Sequence, residues 1–113
     1  MSAPTATQLV EHLQRQIAGG TLRLPATKVC LLHLSDTGTL IWFDGNNNRL
    51  ERGAKDGAVY DAHIRIALPD LLTLLDEPKQ AVKLMVSGKL KVENLPVALS
   101  FAHALKPAMA GLA

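Results

Sequence analysis

The stretch "MVSGKLKVENLPVALSFAHALKPAM", residues 85–109, determines how the C-terminal third of the chain folds. Gly88 interrupts a helical pattern, and "KLKVE" then alternates charged and apolar residues as a strand does. Asn94 and Pro96 stand at positions that favour the start of a helix, with Asn94 as its cap. The helix that follows has hardly a charged residue, so it must cover either an ordinary core or an apolar cavity.

The rest of the chain predicts a first helix, four strands and two further helices. Apolar residues recur at helical spacing after a capping box at Thr5 and Gln8. Pro69 and Pro78 each suit the first turn of a short helix. Four runs with strand character precede them: "KVCLLHL", "TLIWF", "RLER" and "VYDAHIRIAL". The predicted order over residues 1–113 is therefore α-β-β-β-β-α-α-β-α, in a single α+β domain.

The first two strands are apolar on both faces. One face, predicted to point toward the helices, has Leu32, Leu34 and Trp42. The other face has Val29, Leu31, Ile41 and Phe43. A sheet face in water is seldom so apolar, so we expect a second copy of the chain to cover it in a homodimer.

Composition and motif spacing argue against several classes of protein. Apolar residues make up 48% of the chain, which is typical of a globular domain. The four histidines lack the spacing of metal sites, and Ser100 and His103 lack the third group of a hydrolase triad. Aromatic residues are only 4% and the net charge is +2, too few for a nucleic-acid platform. The sequence therefore predicts no catalytic residue, no metal, no cofactor and no nucleic-acid partner.

Cellular location follows from what the sequence lacks. Cys30 is the single cysteine, so no internal disulfide points to an oxidising compartment. The first residues do not have the basic start and apolar run of a signal peptide, and no run is long enough to span a bilayer. We expect a cytoplasmic protein.

Positive charge is concentrated near the C-terminus. Residues 79–113 have five lysines and one acid, whereas residues 1–78 have seven basic and nine acidic residues. Such a cluster is either a solvated face or a surface that binds an anionic membrane. The lysines predicted to dock on a membrane are Lys79, Lys83, Lys89 and Lys91.

A family resemblance covers the second half of the chain. Its residues are "DAHIRIALPDLLTLLDE", "AVKLMVSGKLKVEN" and the apolar helix that starts at Pro96. From residue 59 onward they resemble the sterol carrier protein type two (SCP-2) domain, a lipid-binding family. Two departures matter: Glu93-Asn94 replaces the usual glycine and acid or asparagine, and Met85-Val86 replaces aromatic residues before Gly88.

The resemblance implies a small stand-alone domain of bacterial type. It implies a five-stranded, mainly antiparallel sheet with helices on one face and an apolar tunnel between the layers. The guest would be an acyl, sterol or isoprenoid lipid, and related proteins act as accessory factors in ubiquinone biosynthesis. The predicted lipid-binding residues are Ile64, Ile66, Leu72, Leu75, Met85, Leu90, Phe101, Leu105 and Met109. The alternative is a non-enzymatic interaction or dimerisation module whose cavity is filled by side chains.

Overall fold

The computed structural model describes residues 5–53 and 59–109. Its helices are α1 (Ala6–Ala18), α2 (Leu68–Asp76), α3 (Ala81–Val86) and α4 (Leu95–Ala108), with a 3₁₀ helix at Pro78–Gln80. Its strands are β1 (Val29–Leu34), β2 (Thr39–Asp44), β3 (Arg49–Arg52), β4 (Ala62–Ile66) and β5 (Leu90–Glu93). This order confirms the predicted one. The predicted loop "GAKDG", residues 53–57, lies outside the described residues apart from Gly53.

The strands form one sheet in the order β3-β2-β1-β4-β5. β1 pairs with β2 in antiparallel and with β4 in parallel orientation, and the pairs β2–β3 and β4–β5 are antiparallel. The sheet is therefore mixed but mainly antiparallel, as predicted. The parallel pair at its centre joins the β1–β3 half of the chain to the half that begins with β4.

Local sequence signals explain where α1 and the first hairpin are placed. The hydroxyl of Thr5 accepts a hydrogen bond from the Gln8 amide at 3.2 Å, and the Gln8 side chain accepts one from the Thr5 amide at 2.8 Å. This is the predicted capping box. Gly38 closes the turn between β1 and β2 with φ +71°, a backbone angle that glycine adopts without a steric cost.

Gly45 occupies a position that has no room for a side chain. Its amide donates to the carbonyl of Lys28 at 2.8 Å. A Cβ atom on Gly45 would overlap the backbone carbonyl oxygens of Pro25 and Lys28. The close backbone approach fixes the end of β2 against the segment that enters β1.

The helices cover one face of the sheet. The buried apolar strand residues on that face are Cys30, Leu32, Leu34, Ile41, Phe43, Leu50, Ala62, Ile64, Ile66 and Leu90. They form one continuous cluster with the buried residues of the helices. The domain thus has a single hydrophobic core between sheet and helices.

The predicted facing of β2 is wrong. The hairpin register pairs Leu32 with Ile41, and directly opposed residues of antiparallel strands point to the same side, so Ile41 and Phe43 belong to the core face. Trp42 lies on the outer face, where its ring centroid is 6.2 Å from that of Tyr60. The predicted strand "VYDAHIRIAL" includes Tyr60, but β4 begins only at Ala62. The outer face of the hairpin therefore has Leu40 and Trp42 in place of Ile41 and Phe43.

Candidate functional site

α4 is the nearly uncharged helix of the C-terminal stretch. It contacts β1, β4 and β5, and it lies beside α2. Its buried residues are Ala98, Phe101, Ala102, Leu105 and Ala108. The Phe101 ring packs on Phe43 with centroids 6.1 Å apart, and Lys106, the one charged residue of α4, is exposed. The interface between α4 and the sheet is therefore apolar.

The start of α4 is attached to the sheet by Asn94. This residue has a left-handed backbone with φ 63°, which asparagine tolerates better than most residues. Asn94 is the N-cap residue of α4, as predicted, but its side chain makes no capping hydrogen bond. The Nδ2 group donates instead to the carbonyl of Asp61 at 2.9 Å. The Asp61 carboxylate accepts from the amide of Val29 at 2.8 Å. Asp61 thus connects α4, β4 and β1.

The end of α4 is attached to α1 by His12. The imidazole is buried, and its Nε2 atom lies 2.7 Å from the carbonyl oxygen of Ala108. Because a carbonyl can only accept, Nε2 must be the protonated nitrogen. The bond occupies one of the last carbonyls of α4, which have no partner within the helix. A hydrogen bond from α1 at one end and one to Asp61, just before β4, at the other end therefore hold α4 in place.

Most of the predicted lipid-binding residues lie in one cluster between the sheet and the helices α2 and α4. Six are at most 6% exposed: Ile64, Ile66, Leu75, Leu90, Phe101 and Leu105. Leu72 and Met109 are half-buried at the margin of the same cluster. The six buried side chains touch other protein atoms over almost their whole surface. In this conformation the six positions therefore form a packed core.

Met85 lies apart from the other eight. It is 36% exposed on α3, on the same side as Val82 and Val86. The buried residues of α3 are Ala81 and Leu84. The structure therefore does not bring Met85 into the cluster under α4.

The four predicted docking lysines are divided between two places. Lys79, Lys83 and Lys89 are exposed in the segment from the 3₁₀ helix to the turn before β5. Lys79 also lines an open groove of about 440 Å³, together with Asp76, Glu77, Pro78, His103 and Lys106. Lys91 pairs across the β4–β5 ladder with Arg65, on the face of the sheet that points away from the helices.

The outer face of the sheet has polar groups that are only partly satisfied. The Nδ1 atom of His63 lies 3.9 Å from a carboxylate oxygen of Glu93. Within residues 5–53 and 59–109, the buried atoms Trp42 Nε1 and His63 Nε2 have no hydrogen-bond partner. The same residues contain no group of three or more histidines, cysteines or acids placed to hold a metal ion. Burial raises the pKa of Cys30 to about 12, so its thiol is unreactive at neutral pH.

Comparison with known proteins assigns the chain to a family. The sequence profile of the SCP-2 sterol transfer family matches residues 7–106, which include all five strands, all but the first residue of α1 and most of α4. The chain belongs to the SCP-2 sterol transfer family. Membership places it among lipid-binding and lipid-transfer domains and confirms the resemblance seen in its second half. No curated protein matches the chain.

Solved structures of SCP-2 domains share the fold. A structure titled UbiJ-SCP2 ubiquinone synthesis protein is 15% identical, with a TM-score of 0.67, over 95% of this chain and 96% of that one. Sterol carrier protein 2 like 2 from Aedes aegypti is 16% identical, with a TM-score of 0.61, over 85% and 92%. A palmitated solution structure of SCP2L2 from the same mosquito is 16% identical, with a TM-score of 0.56, over 88% and 96%. At these identities the likeness concerns the fold alone.

The sequence analysis did not predict the buried His12 or its hydrogen bond to the carbonyl of Ala108. His12 falls three residues after Leu9 and one before Leu13, so the apolar stripe of α1 could have indicated that it is buried. Its partner is a backbone carbonyl 96 residues away, for which the sequence has no signal.

The described part of the chain has no helix long and apolar enough to cross a bilayer.

Proposed function

We propose that this protein is a lipid carrier whose guest lies between α4, α2 and the sheet. The observation that supports the proposal best is the apolar interface under α4, a helix with one charged residue held at each end by a single side chain. The guest would contact the predicted lipid-binding residues other than Met85, which lies apart on α3. As a carrier, the protein would need no catalytic residue.

Burial of alkyl groups supplies enough free energy for such binding. Each buried methylene contributes about 0.8 kcal/mol, so a chain of about a dozen carbons gains roughly 10 kcal/mol before costs are subtracted. The main cost is the loss of packing when α4 separates from the sheet. The guest restores much of that packing, because it presents the same kind of surface to Phe101 and Leu105. Binding of this kind discriminates weakly between head groups.

The guests to be tested are a fatty acid, a sterol and a polyprenylated quinone precursor. The first is suggested by the palmitated SCP2L2 structure, and the last by the UbiJ-SCP2 structure. A polyprenylated guest would make the protein an accessory factor in ubiquinone biosynthesis. Extraction of the protein from cells and identification of the bound small molecule decides among the three.

Uptake of a fluorescent fatty acid by Leu72→Trp tests the site. Leu72 is half-buried on α2 at the margin of the core, so a larger ring can turn toward solvent and obstruct the entrance while the fold survives. Leu40→Trp is the matched control, since Leu40 is half-buried on the outer face of the sheet. We expect Leu72→Trp to reduce uptake at least tenfold, whereas Leu40→Trp leaves it unchanged. Equal uptake by both variants would remove the proposed site.

The competing function is a protein-interaction module with a filled core. It is favoured by the close packing of the six buried residues under α4 and α2. Native mass spectrometry after gentle purification separates the two functions. A lipid mass on the protein supports the carrier, and a bare mass combined with no uptake of fatty acid, sterol or quinone precursor supports the interaction module.

We also propose that the outer face of the sheet pairs with a second copy of the chain. The corrected outer face has four apolar residues of the hairpin, Val29, Leu31, Leu40 and Trp42, of which Val29, Leu31 and Leu40 are half-buried and leave apolar surface for a partner copy. Light scattering during gel filtration is expected to give a dimer that Leu31→Lys converts to a monomer, and a monomeric wild-type protein at micromolar concentration contradicts the pairing.

A further inference from the structure

The short helix α3 exposes apolar side chains that nothing in the described structure covers. Val82 is 65% exposed, Val86 is 84% exposed and Met85 is 36% exposed. Positions 82, 85 and 86 are neighbours on a helix surface, because residues three and four apart face the same side. Val82 and Val86 point away from Leu84, and Met85 lies at the edge of the exposed side next to Ala81; Ala81 and Leu84 hold α3 to the core. Adjacent exposed apolar residues on a small domain commonly mark a contact surface.

Lysines surround this apolar group. Lys83 projects from the exposed side of α3, and Lys89 follows Gly88 in the turn that leads to β5. The sequence from 79 to 92 has four lysines and no acid. The acids that flank this segment are Glu77, which shares the groove with Lys79, and Glu93, which pairs with His63 on the outer face of the sheet. An apolar centre with a basic margin complements a bilayer with anionic head groups, because the apolar side chains enter the interface while the lysines contact the lipid phosphates.

We propose that Val82, Lys83, Met85, Val86 and Lys89, here called the α3 surface, dock the protein onto an anionic bilayer. The inference rests on the proposed function, since a carrier must meet a membrane to collect or deliver its guest. It also changes the predicted docking set. Lys91 lies on the outer face of the sheet and Lys79 lines the groove with Asp76 and Glu77, so both are excluded, whereas two valines and Met85 are added.

The position of the α3 surface suits transfer to the site under α4. The 3₁₀ helix Pro78–Gln80 leads directly into α3 and contacts both α2 and α4. The open groove between this 3₁₀ helix and α4 is lined by Lys79 and His103. A bilayer in contact with α3 would therefore lie near the junction of the two helices that cover the proposed guest.

Matched variants test the α3 surface by co-sedimentation with vesicles. The vesicles consist of phosphatidylcholine alone or of phosphatidylcholine mixed with phosphatidylserine. Val86→Ser is compared with Val59→Ser, because Val59 is equally exposed at 86% but precedes β4, at the opposite end of the sheet from the α3–β5 turn. Lys83→Gln is compared with Lys91→Gln in the same way. None of the four side chains supports the core, so the fold should persist in every variant.

We expect binding to vesicles with phosphatidylserine that weakens about fivefold in Lys83→Gln, since one lysine near an anionic surface is worth about that factor. A loss of about fivefold or more is expected for Val86→Ser, and little change for Val59→Ser and Lys91→Gln. High salt should weaken binding of the wild type. Equal losses in Val86→Ser and Val59→Ser, or equal binding to both vesicle types, would overturn the docking surface.

A parallel measurement separates this inference from the proposed function. Uptake of a fluorescent fatty acid from solution needs no vesicle, so Val86→Ser should take it up as the wild type does. Normal uptake without vesicle binding overturns the α3 surface alone. Vesicle binding that depends on Val86 and Lys83, without uptake of any tested lipid, supports the docking surface and counts against the carrier. If the wild type binds a soluble protein but no vesicles, and Val86→Ser abolishes that binding, the partner of the α3 surface is a protein and the inference is overturned.

Discussion

The hydrogen bond between His12 and the end of α4 offers a direct test of whether this helix is a lid. The substitution His12→Met removes the Nε2–H donor and replaces the ring by an apolar side chain of similar size. The carbonyl of Ala108 then loses its partner 2.7 Å away. Since His12 is buried, the substitution should leave the surface of the protein unchanged.

The expected loss of stability follows from the burial of this bond. A buried hydrogen bond contributes about 0.5–1.5 kcal/mol to the free energy of unfolding, and a buried acceptor left without a partner costs about 1–3 kcal/mol. Ala108 is in the last turn of α4, so water can reach its carbonyl once the end of the helix loosens. We therefore expect a decrease of about 1–2 kcal/mol in the free energy of unfolding. If α4 must open to admit a guest, the same loss of about 1–2 kcal/mol raises the fraction of molecules in which α4 is open by about five- to thirtyfold.

Two measurements on three proteins test this reasoning. Urea unfolding gives the free energy, and stopped-flow mixing with a fluorescent fatty acid gives the loading rate. His12→Gln is the control, because its amide nitrogen can donate from nearly the same position as Nε2. We expect faster loading in His12→Met and a rate close to wild type in His12→Gln.

One result would refute the lid. If His12→Met is destabilised by the expected amount but loads at the wild-type rate, the end of α4 does not control entry. If His12→Gln behaves as His12→Met does, the packing of the imidazole matters and the donated hydrogen does not.

Three further predictions concern the core and the backbone. Phe101→Ala should lower the free energy of unfolding by about 3–5 kcal/mol, because it empties a buried position against Phe43; a loss below about 1 kcal/mol in urea would show that the ring is not packed as described. Gly45→Ala should cost more than about 2 kcal/mol in thermal unfolding, because its Cβ meets the backbone oxygen of Pro25, and a neutral effect contradicts that contact. Burial raises the pKa of Cys30 from 9.0 to about 12, so at pH 8 the folded protein should react with a thiol reagent about a thousandfold more slowly than the unfolded chain. The unfolded thiol ionises above pH 9.0 while the folded one stays neutral, so stability should fall between pH 9.0 and about 12, and Cys30→Ala should lack this component.

Periodicity was sufficient to predict the element order. The strand β4 has strict alternation, and the capping box and the helix-starting prolines marked the helices. The lipid-binding residues came from the family resemblance, and six of them are buried in one cluster because they lie on the apolar sides of β4, β5, α2 and α4. Burial at these positions is explained equally well by an ordinary core, so their function stays a proposal.

The incorrect predictions share a physical cause, which is that they depended on register and tertiary contact. The hairpin turn decides whether Ile41 or Trp42 faces the helices, and a shift of one position exchanges the two faces. Met85 has the character of a core residue, but the attachment of α3 through Ala81 and Leu84 turns it outward. The bond from His12 to α4 joins distant parts of the chain and leaves no local pattern.

The place of α4 in the chain affects how the protein acquires its first cargo. All five strands precede this helix, which is 14 residues long, and a ribosome that adds about 5–20 residues per second needs about 1–3 s to make it. Until α4 has packed on the sheet, the part of the apolar face that this helix covers is open. A lipid captured then would be enclosed when α4 packs rather than admitted through an opening. Protein taken from living cells and protein refolded in a tube would, on this account, differ in their cargo.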